Sequence, residues 1–156
     1  MRAVILGLLF LWSSILVAEE IVPPNCVPLV VTGDELIVPA EKQKIVLIHN
    51  LSSASLWITY AAPDVSSSWS SHLQAGHWSA LVSHDRRLAL SCIESIPGHE
   101  QQVSCANVVA LCQWSAAHMP KISADNMWAA EDMELAPLTA LISRHGFVLD
   151  TPVRAG

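Results

Sequence analysis

Apolar and polar residues alternate with a period of two through the middle of the chain. The runs are VPLVV (27–31), ELIVP (35–39), QKIVLIHN (43–50), SLWITY (55–60), HWSALVS (77–83), RLALSCIES (87–95) and NVVALCQWS (107–115). Each is short, rich in β-branched residues and spaced like a strand. Between them stand TGDE, NLSSAS, APDVSSSWSS, HD and IPGHE, the Gly, Pro, Asp and Ser chemistry of turns. The pattern predicts an all-β fold, an antiparallel β-sandwich. Alternation puts Leu88, Leu90 and Cys92 on one face of their strand, and Val108, Ala110, Cys112 and Trp114 on one face of theirs. KIVLIHN is apolar on both faces from Ile45 to Ile48, as a central strand would be.

The period changes after Lys121. Leu135, Leu138, Leu141 and Ile142 recur at three and four residues, which predicts a short C-terminal α-helix. Pro137 fits only in a first turn, so the helix should begin near 132–134, with Arg144 and His145 at its carboxyl end and Gly146 closing it. Residues 19–120 are therefore expected to form the sandwich. Residues 121–156 are expected to form a helical segment packed on it.

The chain opens MRAVILGLLFLWSSILVAEE, with one Arg, an apolar run, and the small residue Ala18 before two glutamates. That order is a secretory signal peptide over 1–18, and its apolar run is shorter than the roughly 20 residues a spanning helix needs. Export places the protein in the periplasm or outside the cell, touching the membrane only in transit. Eight basic residues stand against fourteen acidic ones, for a net charge of −6; loss of the leader removes Arg2 and makes it −7. No basic stripe offsets this field, which argues against nucleic acid as a partner.

Four cysteines in an exported chain predict two disulfides. Three connectivities are possible: if RLALSCIES and NVVALCQWS are hairpin neighbours, their turn centres near residue 102 and Cys92 lies opposite Cys112, leaving Cys26 for Cys105, and a Cys105 to Cys112 pairing, with a shorter loop, is an alternative. A competing reading is a cupredoxin-like metal carrier with His49, Cys112, His118 and Met119 as ligands. Adjacent His118 and Met119 project in different directions from an extended chain, which weakens it. No phosphate-cradling glycine loop, nucleophile elbow or paired-ligand zinc pattern occurs, so neither an enzyme nor a cofactor is expected.

Trp57, Trp78 and Trp114 sit in strands and are expected to pack the core. Trp69, within SSSWSS, reads as a loop indole, and with Ser68 and Ser70 it is the candidate partner-binding site.

The segments VPAEKQKIVLIHNLSSASLWIT, WSSHLQAGHWSAL, SCIESIPGHEQQVSC, CQW and WAAEDMELAPLTALISRHGFVL resemble the enhanced entry protein EnhB of Legionella and related intracellular bacteria. The likeness runs over nearly the whole chain after the leader. It implies an exported, non-catalytic protein of the cell envelope associated with bacterial entry into host cells. Its expected action is that of a protein-interaction module, and the resemblance carries no catalytic residue.

Overall fold

A computed structural model describes residues 22–32, 35–37, 44–61, 68–83, 87–118 and 127–149. The expected leader, residues 1–18, lies outside them. Two antiparallel sheets stack face to face, and a helix covers the far side of one of them. The strands are β1 (Cys26–Leu29), β2 (Val31–Thr32), β3 (Glu35–Ile37), β4 (Lys44–Asn50), β5 (Ser55–Ala61), β6 (Ser68–Leu73), β7 (Trp78–Ser83), β8 (Arg87–Ile96), β9 (His99–Val103), β10 (Val109–His118), β11 (Met127–Met133) and β12 (Val148–Leu149). The helices are α1 (Cys105–Val108) and α2 (Leu135–Arg144).

The first sheet runs β1-β10-β4-β7-β11, with β12 also pairing β10; the second runs β2-β3-β8-β5-β6, with β9 also pairing β8. Val46, Ile48, Leu81 and Leu111 of the first sheet meet Leu56, Ile58, Tyr60, Leu88 and Leu90 of the second in the inter-sheet core. The opposite face of the first sheet is apolar too: Ile45, Leu47, Ala80, Val82 and Trp114 pack with Leu138 and Ile142 of α2 and with Phe147. The doubly apolar pattern of KIVLIHN thus has its physical cause, because β4 is covered on both sides. α2 starts at Leu135, places Pro137 in its first turn and ends with Arg144, as the stripe predicts.

The hairpin expectation is corrected. Pro97 and Gly98, the latter at φ 82°, make a tight turn that returns the chain as β9, pairing Cys92 with Val103. α1 then carries the chain to the other sheet, where β10 pairs with β1 and β4. Cys92 therefore bonds Cys105, thirteen residues on, and Cys112 bonds Cys26, 86 residues away. The predicted pairings of Cys92 with Cys112 and Cys26 with Cys105 do not form, because the two strands belong to different sheets. Two disulfides mark an oxidising, exported environment. No helix among the described residues is long and apolar enough to cross a membrane.

The segment expected to carry the C-terminal helix also contributes strands: Met127–Met133 pairs with β7 at the sheet edge. Its register breaks between Ala130 and Met133, where Asp132 takes φ 50°. Asp132 reaches the turn that joins β6 to β7, accepting from Gln74 N at 2.8 Å and Gln74 Nε2 at 2.8 Å and sharing a 3.0 Å contact with His77 Nδ1. From the other side, Asn50 Nδ2 donates to Ala54 O and Leu73 O, and Asn50 Oδ1 accepts from Ser52 N. Gly76, at φ 73°, donates its N–H to Asn50 O. One buried amide thus ties the end of a first-sheet strand to the start and end of two second-sheet strands.

Three outcomes follow from this corner and from the cross-links. Asn50→Ala should lose about 2–4 kcal/mol in urea unfolding, since it strands two carbonyls and an N–H in a buried corner. Burial pushes the Asp132 carboxyl up, but the Gln74 backbone N–H, the Gln74 amide and the His77 ring outweigh it and hold it below its ordinary 3.8. A depressed folded value means its stabilisation is complete above 3.8 and is lost as pH falls through the folded value. Asp132→Asn should therefore be less stable than wild type at neutral pH, with the difference shrinking in acid. Loop-entropy arguments assign about 4–5 kcal/mol to the 26–112 bond and about 3 kcal/mol to the 92–105 bond. The Cys26→Ala/Cys112→Ala variant should accordingly melt below Cys92→Ala/Cys105→Ala.

Candidate functional site

Trp69 does not lie in a loop. Ser68–Leu73 alternates exposed and buried residues as an edge strand, and Trp69 takes a buried position with 6% of its surface exposed. Its indole Nε1 donates to Glu131 Oε1 at 2.9 Å, clasping β6 of the second sheet to β11 of the first. The serines make SSSWSS look like a loop, but period-two alternation governs the segment and turns the indole inward. Ser68 and Ser70 are exposed, on the face opposite to Trp69.

Trp57 is the second correction. Leu56, Ile58 and Tyr60 fill the inner face of β5, so Trp57 between them points outward and is 44% exposed. Trp78 and Trp114 are buried, as expected, and Trp114 Nε1 donates to Pro24 O at 3.0 Å. Trp57 is the exposed tryptophan among the described residues.

The register of the second sheet arranges its outer face in rows. One row crosses four strands as His72, Trp57, Ile93 and Gln102. The next is Ser70, Thr59 and Ser91; on the other side of Trp57 lies Ser55 beside Ser95, which pairs with Glu100. The His72 ring stands 4.8 Å from the Trp57 ring, tilted by 52°, and Ile93 is half-buried beside it. Among the described residues, the two central rows contain no Lys, Arg, Asp or Glu. What results is a surface with one braced indole at its centre, hydroxyls on both sides, and a carboxylate, Glu100, at the border of the Ser55 row. Ser70, a predicted site residue, supplies one of these hydroxyls.

The alternative metal ligands are not brought together. Cys112 is committed to its disulfide and has no thiolate to offer. His49 stacks on Trp78 with ring centroids 4.0 Å apart and planes 3° apart. His118 is exposed at the far end of β10, opposite Val148, and Met119 lies outside the described residues. No group of three or more His, Cys, Asp or Glu side chains among the described residues is placed to hold an ion.

A cavity of about 300 Å³ opens where β1 leaves β10, lined by Leu29, Val30, Leu51, Trp78, Ala110 and Leu111 among others. Its lining residues carry no acidic, basic or hydroxyl side chain, and the one cysteine among them, Cys112, is disulfide-bonded, so they present no side chain for acid, base or nucleophilic chemistry. The second-sheet face therefore carries the richer recognition chemistry. No protein-family model, curated protein or solved structure matches the chain.

Proposed function

We propose that the chain is an exported, non-catalytic recognition module of the bacterial envelope, and that it meets its partner through the outer face of the second sheet. One observation carries this reading: Trp57 is held in the open, between His72 and Ile93, on the one-sided sheet of the sandwich. Leaving a large aromatic surface in water forgoes the burial an indole normally gains, and exposed aromatics of this kind anchor binding surfaces. The disulfides support export, and the resemblance to enhanced entry proteins links the module to uptake by host cells. The partner-binding role first assigned to Trp69 passes to Trp57, with Ser70 retained at its side.

A carrier of metal ions gains nothing from the geometry, since its key thiolate is oxidised.

Purified mature protein, with both disulfides formed, should be retained on a sedimented bacterial envelope fraction. Trp57→Ala should reduce retention about tenfold or more, while leaving the thermal midpoint within a few degrees, because the indole is not part of the core. Equal retention of Trp57→Ala and wild type would contradict the assignment of the face.

A further inference from the structure

We infer that the ligand of this face is an uncharged saccharide chain. The inference rests on the proposed role of the outer face and names what that face recognises.

The strand position of Trp57 restricts the choice of ligand. β5 is paired on both edges, with β6 and β8, so no backbone donors or acceptors are free beside the indole for an added peptide strand. Recognition at the indole itself therefore uses side chains. Those side chains are Ser70, Thr59 and Ser91 on one flank of the indole, Ser55 and Ser95 with Glu100 beyond them on the other, and His72, Ile93 and Gln102 in its own row. Hydroxyls both donate and accept, as do the hydroxyls of a sugar, so the two surfaces satisfy each other whichever way each group turns. A pyranose also has an apolar C–H face, which an indole plane accepts by stacking.

Charge and composition narrow the class further. The whole chain is net −6, yet among the described residues no formally charged side chain stands in the row of Trp57 or in the row of Thr59, and Glu100 borders the row beyond. An anionic polymer would find no counter-charge and a cationic one would bypass this face for the acidic remainder of the surface. A protein partner fits less well, because the centres of protein interfaces are depleted in serine and built from clustered apolar anchors, whereas Trp57 has only half-buried Ile93 beside it. Strand spacing near 4.8 Å makes the four-strand row about 14 Å long, room for a short run of sugar rings. The tilted His72 ring fixes the indole in advance, so little side-chain freedom is lost on binding.

The test titrates mature, disulfide-intact protein with chitotetraose and with cellotetraose, following tryptophan fluorescence and heat, with heparin as the charged control. At least one neutral tetrasaccharide should bind and shift the emission. Trp57→Ala should weaken that binding about tenfold or more, with Trp57→Phe in between, and Thr59→Ala should weaken it several-fold. Neither tetrasaccharide binding at millimolar concentration, unchanged affinity in Trp57→Ala, or tighter binding of heparin than of both neutral chains would each overturn the inference. Loss of envelope retention by Trp57→Ala without any tetrasaccharide binding would overturn the saccharide assignment alone and leave a protein partner on the same face. If retention is also unchanged, the recognition surface itself is lost with it.

Discussion

The first sheet is apolar on both faces, and everything else in the molecule follows from the need to cover both. β4 and β10 cannot be exposed on either side without leaving Ile45, Leu47 and Trp114, or Val46, Ile48 and Leu111, in water. The second sheet covers one side and α2 with Phe147 covers the other. The second sheet needs only one cover and receives it from the first, so its outer face is left to solvent. That asymmetry separates a structural half from a half available for recognition, with no special pleading about loops.

The polar devices reinforce the same division. Asn50, Asp132 and the Trp69–Glu131 bond lie at the corner and edge where the two sheets meet; Asn50 and Asp132 satisfy backbone groups that the crossing would otherwise strand, and Trp69 and Glu131 join the sheets side chain to side chain. The cross-links act inside the halves: Cys26–Cys112 fastens β1 to β10 in the first sheet, while Cys92–Cys105 fastens α1 to β8 in the second. None of these groups lies in the two central rows, so the proposed recognition face can vary without disturbing what holds the sandwich.

Much of this was legible in the sequence. Period-two runs located the strands, the double-sided apolarity of KIVLIHN marked a central strand, and the Leu135 to Ile142 stripe with Pro137 located α2. Pairing was harder. RLALSCIES and NVVALCQWS are adjacent long strands in sequence, but Pro97-Gly98 is a sufficient turn by itself, so the return strand is the polar HEQQV, whose exposure on an edge hides its strand character. That one misreading displaced both disulfides. WAAEDM likewise lacks a strand pattern of its own and is recruited by pairing with β7. The site was nearly readable: the alternation that places Leu56, Ile58 and Tyr60 inside must place Trp57 outside, and the same rule applied to SWSSHL would have turned Trp69 inward. Serine content and the general preference of tryptophan for the core pointed the other way.

The central claim is the opposite facing of Trp57 and Trp69, and hydroxyl-radical footprinting read by mass spectrometry tests it directly. On the native protein, Trp57 should be oxidised well before Trp69, Trp78 and Trp114, and adding the envelope fraction should protect Trp57 selectively. Oxidation of Trp69 as fast as Trp57, or a Trp57 whose reactivity the envelope fraction leaves unaltered, would contradict the account.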